Sequence, residues 1–366
     1  MSKKNIKNLI ELELNKLTNE LSNKLESCRI DVLENIPSPE IAWEIKDDHS
    51  EEFNILGTHG NFSLVKGKAK SKKSFFINMA ISAAVGEGIL QNKLRGPLKE
   101  ILNQVLYFDT EQSKYHVQKA VKRICRQIKV DMPNNLTTYG LRKSSPSERL
   151  KLVEHAIETT ANLGFVVIDG IRDLITSIND EAESTNMASK LLEWTERYNI
   201  HIVVILHENP GSDKARGHIG TELTNKAETV ITVQIDKNNK DVSVVSAGFC
   251  RNESFKSFAF EIYDDLPVII HDYEITSQSS RKNTIDFKSF SKEENSEILN
   301  MAFETQNKLM YTELAIRLKN AVKALKSCKN GPGNNKIKDY ISYLKEHNIL
   351  NQEGDRKPYT INKPSV

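Results

Sequence analysis

Short, continuously apolar runs alternate with helical stretches between Phe53 and Asp272, and this pattern restricts the fold more than any other feature. Phe62-Ser63-Leu64-Val65, Val105-Leu106-Tyr107-Phe108, Phe165-Val166-Val167-Ile168 and His201-Ile202-Val203-Val204-Ile205-Leu206 read as strands. Helices are expected over Ser74 to Val85, Val117 to Ile128, Leu150 to Leu163 and Ala182 to Tyr198. A strand apolar on both faces must be covered on both, so the pattern predicts a mostly parallel sheet between helical layers, an α/β fold. After Ala227 the helical signal stops. Thr229 to Ile235, Val242 to Ala247, Ser257 to Ile262 and Val268 to His271 then predict an antiparallel continuation at one edge.

Two further regions flank this core. In residues 1–50, Ile6, Leu9, Ile10, Leu14, Leu17, Leu21 and Leu25 recur at helical spacing, which predicts an amphipathic helix needing a partner surface. That surface is either its own domain or a neighbouring subunit. Pro37 and Pro39 end the segment. The core domain is expected over 51–275, followed by a polar linker over 276–290. Residues 291–366 read as three helices (Lys292 to Ala302, Tyr311 to Leu325, Asn335 to His347) and a hairpin, the winged-helix arrangement. From Thr276 onward there are 16 Lys/Arg against 10 Asp/Glu, whereas the whole chain carries only +2. The basic charge thus gathers at the end that resembles a DNA-binding module, with Lys336 and Lys338 expected on a recognition helix and Arg356 and Lys357 in a wing. A small protein-interaction domain is the other reading of this tail.

No apolar run approaches the ~20 residues that cross a bilayer, and the polar N-terminus lacks a signal-peptide core. Cys28, Cys125, Cys250 and Cys328 show no paired spacing. These features lead us to expect a cytoplasmic protein without a membrane partner.

The chemistry is concentrated at Gly67-Lys68-Ala69-Lys70-Ser71-Lys72-Lys73-Ser74, which follows a strand and opens a helix. A phosphate loop requires that context, because turn and helix N–H groups must point at the phosphates. Lys73 is expected on the β- and γ-phosphates and Ser74 on Mg²⁺. Lys72 stands where a second glycine normally precedes the lysine, and its Cβ is expected to restrict the loop.

Partners for this loop come from other strand ends. Asp169 closes an apolar strand in the Walker B manner; alone, an Asp before Gly170 equally starts a turn. Asp109-Thr110-Glu111 ends a second strand, where Glu111 is placed to orient or deprotonate water. A solvated acidic turn is the plainer alternative. His207 ends a third, positioned to sense a γ-phosphate or to serve structurally.

This series resembles RecA-like P-loop ATPases, and within them hexameric replicative helicases of the RepA and DnaB type, over about Phe53 to Ile262. The resemblance implies ATP and Mg²⁺ as ligands, a homo-hexameric ring with sites at subunit interfaces, and single-stranded DNA as partner. Asp213 to Leu223 is similar to the loop and helix that hold DNA, which points to Lys214 and Arg216. Phe249-Cys250-Arg251-Asn252 resembles the segment that reaches a neighbour's nucleotide, with Arg251 as arginine finger; a surface or salt-bridge arginine is the alternative. A helicase of a plasmid, phage or mobile element follows, and a regulatory or defence ATPase that binds DNA or a partner without unwinding is the second expectation.

Overall fold

Alternate side chains of the apolar strands fill two different cores, which is why their sequences lack polar alternation. Val65, Phe165, Val167, Val203 and Ile205 enter one core. Leu64, Val166, Ile168, Ile202, Val204 and Leu206 enter the other. The computed structural model describes residues 3–48, 50–209, 214–271, 273–275, 287, 290–325 and 332–362. It divides into two units, Met1–Thr276 and Ser277–Val366.

The first unit begins with α1 (Lys3–Ser27), β1 (Ile41–Lys46), β2 (Phe53–Thr58), β3 (Phe62–Gly67), α2 (Lys73–Val85) and β4 (Leu94–Arg95). It continues through β5 (Gln104–Asp109), α3 (Lys114–Ile128), β6 (Leu136–Gly140), α4 (Pro146–Thr159) and β7 (Leu163–Asp169). Then follow α5 (Glu181–Tyr198), β8 (His201–His207), α6 (Gly217–Lys226), β9 (Thr229–Ile235), β10 (Val242–Cys250), β11 (Phe258–Tyr263) and β12 (Leu266–Ile270). Nine strands form one sheet in the order β12-β11-β10-β9-β3-β8-β7-β5-β6. From β9 to β6 all neighbours are parallel, and β10 to β12 add antiparallel at one edge. This is the RecA-like P-loop architecture.

Helix α2 is buried at every residue from Phe76 to Val85. A helix apolar all round has no solvent face, and here sheet, α3 and β1 enclose it. Strand β1 corrects the expected boundary after residue 50 of the N-terminal helical segment, because the strands of the first unit begin at Ile41. Ile41–Lys46 pairs with β2 and β4 in a small antiparallel sheet, and its Ala42, Trp43 and Ile45 are buried. Glu44 concealed this strand, being an acid that is buried yet ion-paired with Arg95. The polar strand β6 was likewise missed, since an edge position relaxes the demand for apolar residues. Helix α4 starts at Pro146 and not Leu150, because Ser145 and Glu148 form a capping box one turn earlier. Leu163, expected to end that helix, begins β7 instead. On α1, Leu17, Leu21 and Leu25 are exposed, at 54%, 60% and 75%. Among the described residues no helix is long and apolar enough to cross a membrane.

The second unit comprises α7 (Lys292–Phe303), α8 (Tyr311–Leu325), α9 (Asn334–Glu346), β13 (Leu350–Gln352) and β14 (Tyr359–Ile361). Leu309, between α7 and α8, bridges Tyr359 through a reciprocal pair of backbone hydrogen bonds at 3.1 and 2.8 Å. That bridge adds a third strand position to the hairpin beside the three helices. The expected linker over 276–290 lies outside the described residues except at Phe287 and Phe290. Both are buried, and Phe287 stacks on Tyr340 at 4.3 Å between centroids, so they belong to this unit's core.

Candidate functional site: a phosphate-binding cleft at the strand ends

Parallel pairing brings the expected strand ends together. Gly67 pairs in register with His207, and Asp109 with Asp169. A cavity of about 400 Å³ opens over them, walled by the 70–75 loop, Glu111, Asp169 and His207, with His116 and Arg123 of α3 on the far side.

The loop keeps the phosphate-binding shape despite its sequence. Lys72 lies in the left-handed region (φ 66°, ψ 26°), as does Lys70 (φ 65°). The expectation that the Cβ of Lys72 restricts the loop is thereby sharpened. The residue adopts the glycine conformation at a cost of about 1–2 kcal/mol, and its ammonium donates to Asp241 O at 2.5 Å. Gly67 is different in kind: a Cβ there would lie 2.1 Å from Val233 O. Lys72→Gly should therefore melt within about 1 kcal/mol of the unaltered chain, whereas Lys72→Val should lose about 1–3 kcal/mol. Thermal unfolding of both variants checks this, and equal stabilities would refute it.

Lys73 donates to Gly67 O at 2.9 Å and Lys68 O at 2.8 Å, and lies 3.1 Å from His207 Nδ1. Burial lowers its pKa, opposed by Asp169, Glu208 and Glu111. Ser74 Oγ donates to Asp169 Oδ2 at 3.0 Å. Removal from water, reinforced by Asp109, raises Asp169 to about 7; the Ser74 hydrogen bond and Lys73 pull the other way. Glu111 faces His207 at 3.9 Å, and its interaction with that histidine, opposed by burial, holds its pKa below the usual value. Lys68, Ala69 and Lys70 are exposed along the loop, and Ser71 is buried behind it.

Three further residues support the site: Asp109, Lys66 and Glu208. Asp109 Oδ1 accepts from the N–H groups of Glu111 (3.0 Å) and Gln112 (2.7 Å), fixing the turn that carries Glu111. Lys66 and Glu208 form a buried ion pair at 2.9 Å on the residues flanking Gly67 and His207. An acid directly after a strand-terminal histidine was the available signal for Glu208.

Other expected site residues lie elsewhere. Arg251 donates through Nη1 to Asn61 Oδ1 at 3.1 Å, and its N–H to Glu228 O. It therefore occupies the amino end of β3, about 20 Å along the strand from the phosphate loop of its own chain. Lys214 and Arg216 are exposed just beyond β8, where Arg216 N–H donates to His207 O at 3.0 Å. Residues 210–213 of that loop, including Asp213, lie outside the described residues. In the second unit Lys336 and Lys338 are exposed on α9, and Arg356 (φ 61°) and Lys357 are exposed in the β13–β14 turn.

Fold and site together define a P-loop fold with a cleft shaped for phosphate at its strand ends. Residues 35–213 match the model of a family described as an AAA domain. No curated protein matches the chain. Among solved structures, a KaiC-like protein from the hyperthermophilic archaeon Pyrococcus horikoshii is similar at 14% identity and a TM-score of 0.41. The alignment covers 58% of this chain and 90% of that one.

Proposed function

We propose that the chain is an ATP-hydrolysing motor stimulated by single-stranded DNA, working as a homo-hexameric replicative-type helicase of a plasmid, phage or mobile element. The observation that carries this reading is the convergence of Lys73, Ser74, Asp169, Glu111 and His207 on one cleft at adjacent strand ends. Mg²⁺ fits the donor set: Ser74 Oγ and Asp169 Oδ2 are hard oxygens 3.0 Å apart at a helix N-terminus. That cation takes one or two protein oxygens and completes its shell with water and phosphate. When bound it neutralises charge on the phosphate oxygens.

The chain's own groups supply the rest. The loop N–H groups and Lys73 hold the β- and γ-phosphates, with Lys73 exchanging its carbonyl acceptors for phosphate oxygen. Glu111, kept ionised, accepts a proton from the attacking water or aligns it. His207, between Lys73 and Glu111, changes partners as the γ-phosphate leaves. Arg251 acts only on a neighbouring subunit's nucleotide. DNA is gripped by Lys214 and Arg216, and duplex DNA by Lys336, Lys338, Arg356 and Lys357.

Steady-state hydrolysis with and without single-stranded DNA, paired with strand displacement on a forked duplex, is the test. Hydrolysis is expected to rise several-fold with DNA, and Lys73→Ala to remove both rates. Hydrolysis without strand displacement would transfer support to an ATPase that binds DNA or a partner without unwinding. Undiminished activity in Lys73→Ala would remove the site assignment altogether.

A further inference from the structure

A second cleft, of about 780 Å³, adjoins the phosphate site and shares Gln112 with it. One face of α3 (Lys114, Val117, Gln118, Val121) forms one wall, and β6 with the following residues Arg142 and Lys143 forms the other. Three cations and no acid line it. Three other basic residues of α3 are neutralised: Lys119 and Arg123 share Asp265 at 3.1 and 2.9 Å, and Arg126 pairs with Asp264. Among the described residues Lys114, Arg142 and Lys143 have no such partner. The side of α3 that faces β12 thus carries paired charge, whereas Lys114 on the side facing the cavity and Lys122 one turn beyond Gln118 carry positive charge unpaired among the described residues.

We propose that this cleft holds the backbone of single-stranded nucleic acid and is where the bound strand is sensed by the hydrolysis site. The proposal rests on the DNA-stimulated reading above and names where the stimulation arises. Three unneutralised cations suit consecutive phosphates, and the floor of Val117 and Val121 suits the flat face of an unpaired base. The cleft opens at the carboxyl ends of β5 and β6, the same rim of the sheet on which Lys214 and Arg216 follow β8. Lys114 stands three residues after Glu111, and the intervening turn is fastened by Asp109 to both Glu111 and Gln112. Phosphate drawn toward Lys114 thus acts on the turn that aims the Glu111 carboxylate.

The test uses the full chain carrying Lys114→Gln, Arg142→Gln and Lys143→Gln, and Lys114→Glu alone in case the triple variant melts early. Anisotropy of a labelled oligothymidylate is followed across a salt series, and ATP hydrolysis with and without the same strand. The triple variant should flatten the slope of log K against log salt by about 2, since each single-strand phosphate contact contributes about 0.7. Basal hydrolysis should be unchanged and stimulation lost. If the unaltered chain binds and responds to DNA while both variants keep its slope and stimulation, the cleft assignment is wrong and the motor reading stands. If the unaltered chain neither binds nor responds, the motor reading fails and takes the cleft with it. An unchanged slope with a reduced particle mass would assign the cleft to a neighbouring copy and overturn the proposal.

Discussion

Exchange of Glu111 for glutamine is expected to lower kcat for ATP hydrolysis by about 10²–10⁴ while nucleotide affinity stays within a few-fold. The amide is isosteric, and the turn beneath it is fixed by Asp109 through backbone N–H groups that the substitution does not touch. What is lost is a carboxylate able to accept a proton. Its pKa is held low, chiefly by the facing His207, so it is ionised at neutral pH in the native chain. Lys73→Ala should behave differently, losing affinity as well as turnover, because Lys73 meets the phosphates in ground and transition states alike. Single-turnover hydrolysis and fluorescent-nucleotide titration separate the two patterns. A Glu111→Gln chain retaining more than a tenth of wild-type turnover would remove Glu111 from the reaction.

Asp169→Asn is expected to stabilise the nucleotide-free chain at pH 8 and yet abolish Mg²⁺-dependent hydrolysis. Asp169 has its folded pKa raised to about 7 by burial and by Asp109, above the ordinary carboxylate value. The native state therefore retains a proton that the unfolded chain has released. Stability from this group is greatest below the unfolded pKa, falls as pH rises through the window between there and about 7, and is level above it. The loss by pH 8 is on the order of 2–4 kcal/mol. An asparagine carries no charge to desolvate, so the melting temperature of Asp169→Asn should vary less between pH 5 and pH 8 than that of the unaltered chain. Mg²⁺ with nucleotide should restore the native chain most at high pH, where the carboxylate is free to bind a cation. A pH-independent difference between the two chains would rule out Asp169 as the titrating group.

Much of this site could be read from residues because its logic is local. Each strand end is an apolar run followed by a polar side chain, and parallel pairing alone aligns Gly67 with His207 and Asp109 with Asp169. What escaped depends on contacts distant in sequence. Strand β1 was concealed because Glu44 finds its partner at Arg95, and no local pattern announces that pairing. The backbone of Lys72 took a conformation that its residue type disfavours, because Gly67 and the helix behind it fix the loop on both sides. The position of Arg251 followed from a motif likeness that carries no distance. The strand at Leu309 is a single bridge, too short to leave a periodic signature.

The enclosure of α2 bears on how force can pass through this protein. A close-packed interior has low compressibility, so a helix touched on every side cannot tilt or slide without opening voids around it. The phosphate loop is thus mounted on a stiff post. Stress from a phosphate bound at the loop would have no soft direction along that post. The strand-end turns that border the cleft, at 109–114 and 169–173, are where such stress can act instead. Any movement at the cleft therefore falls on the short segments that carry Glu111 and Asp169.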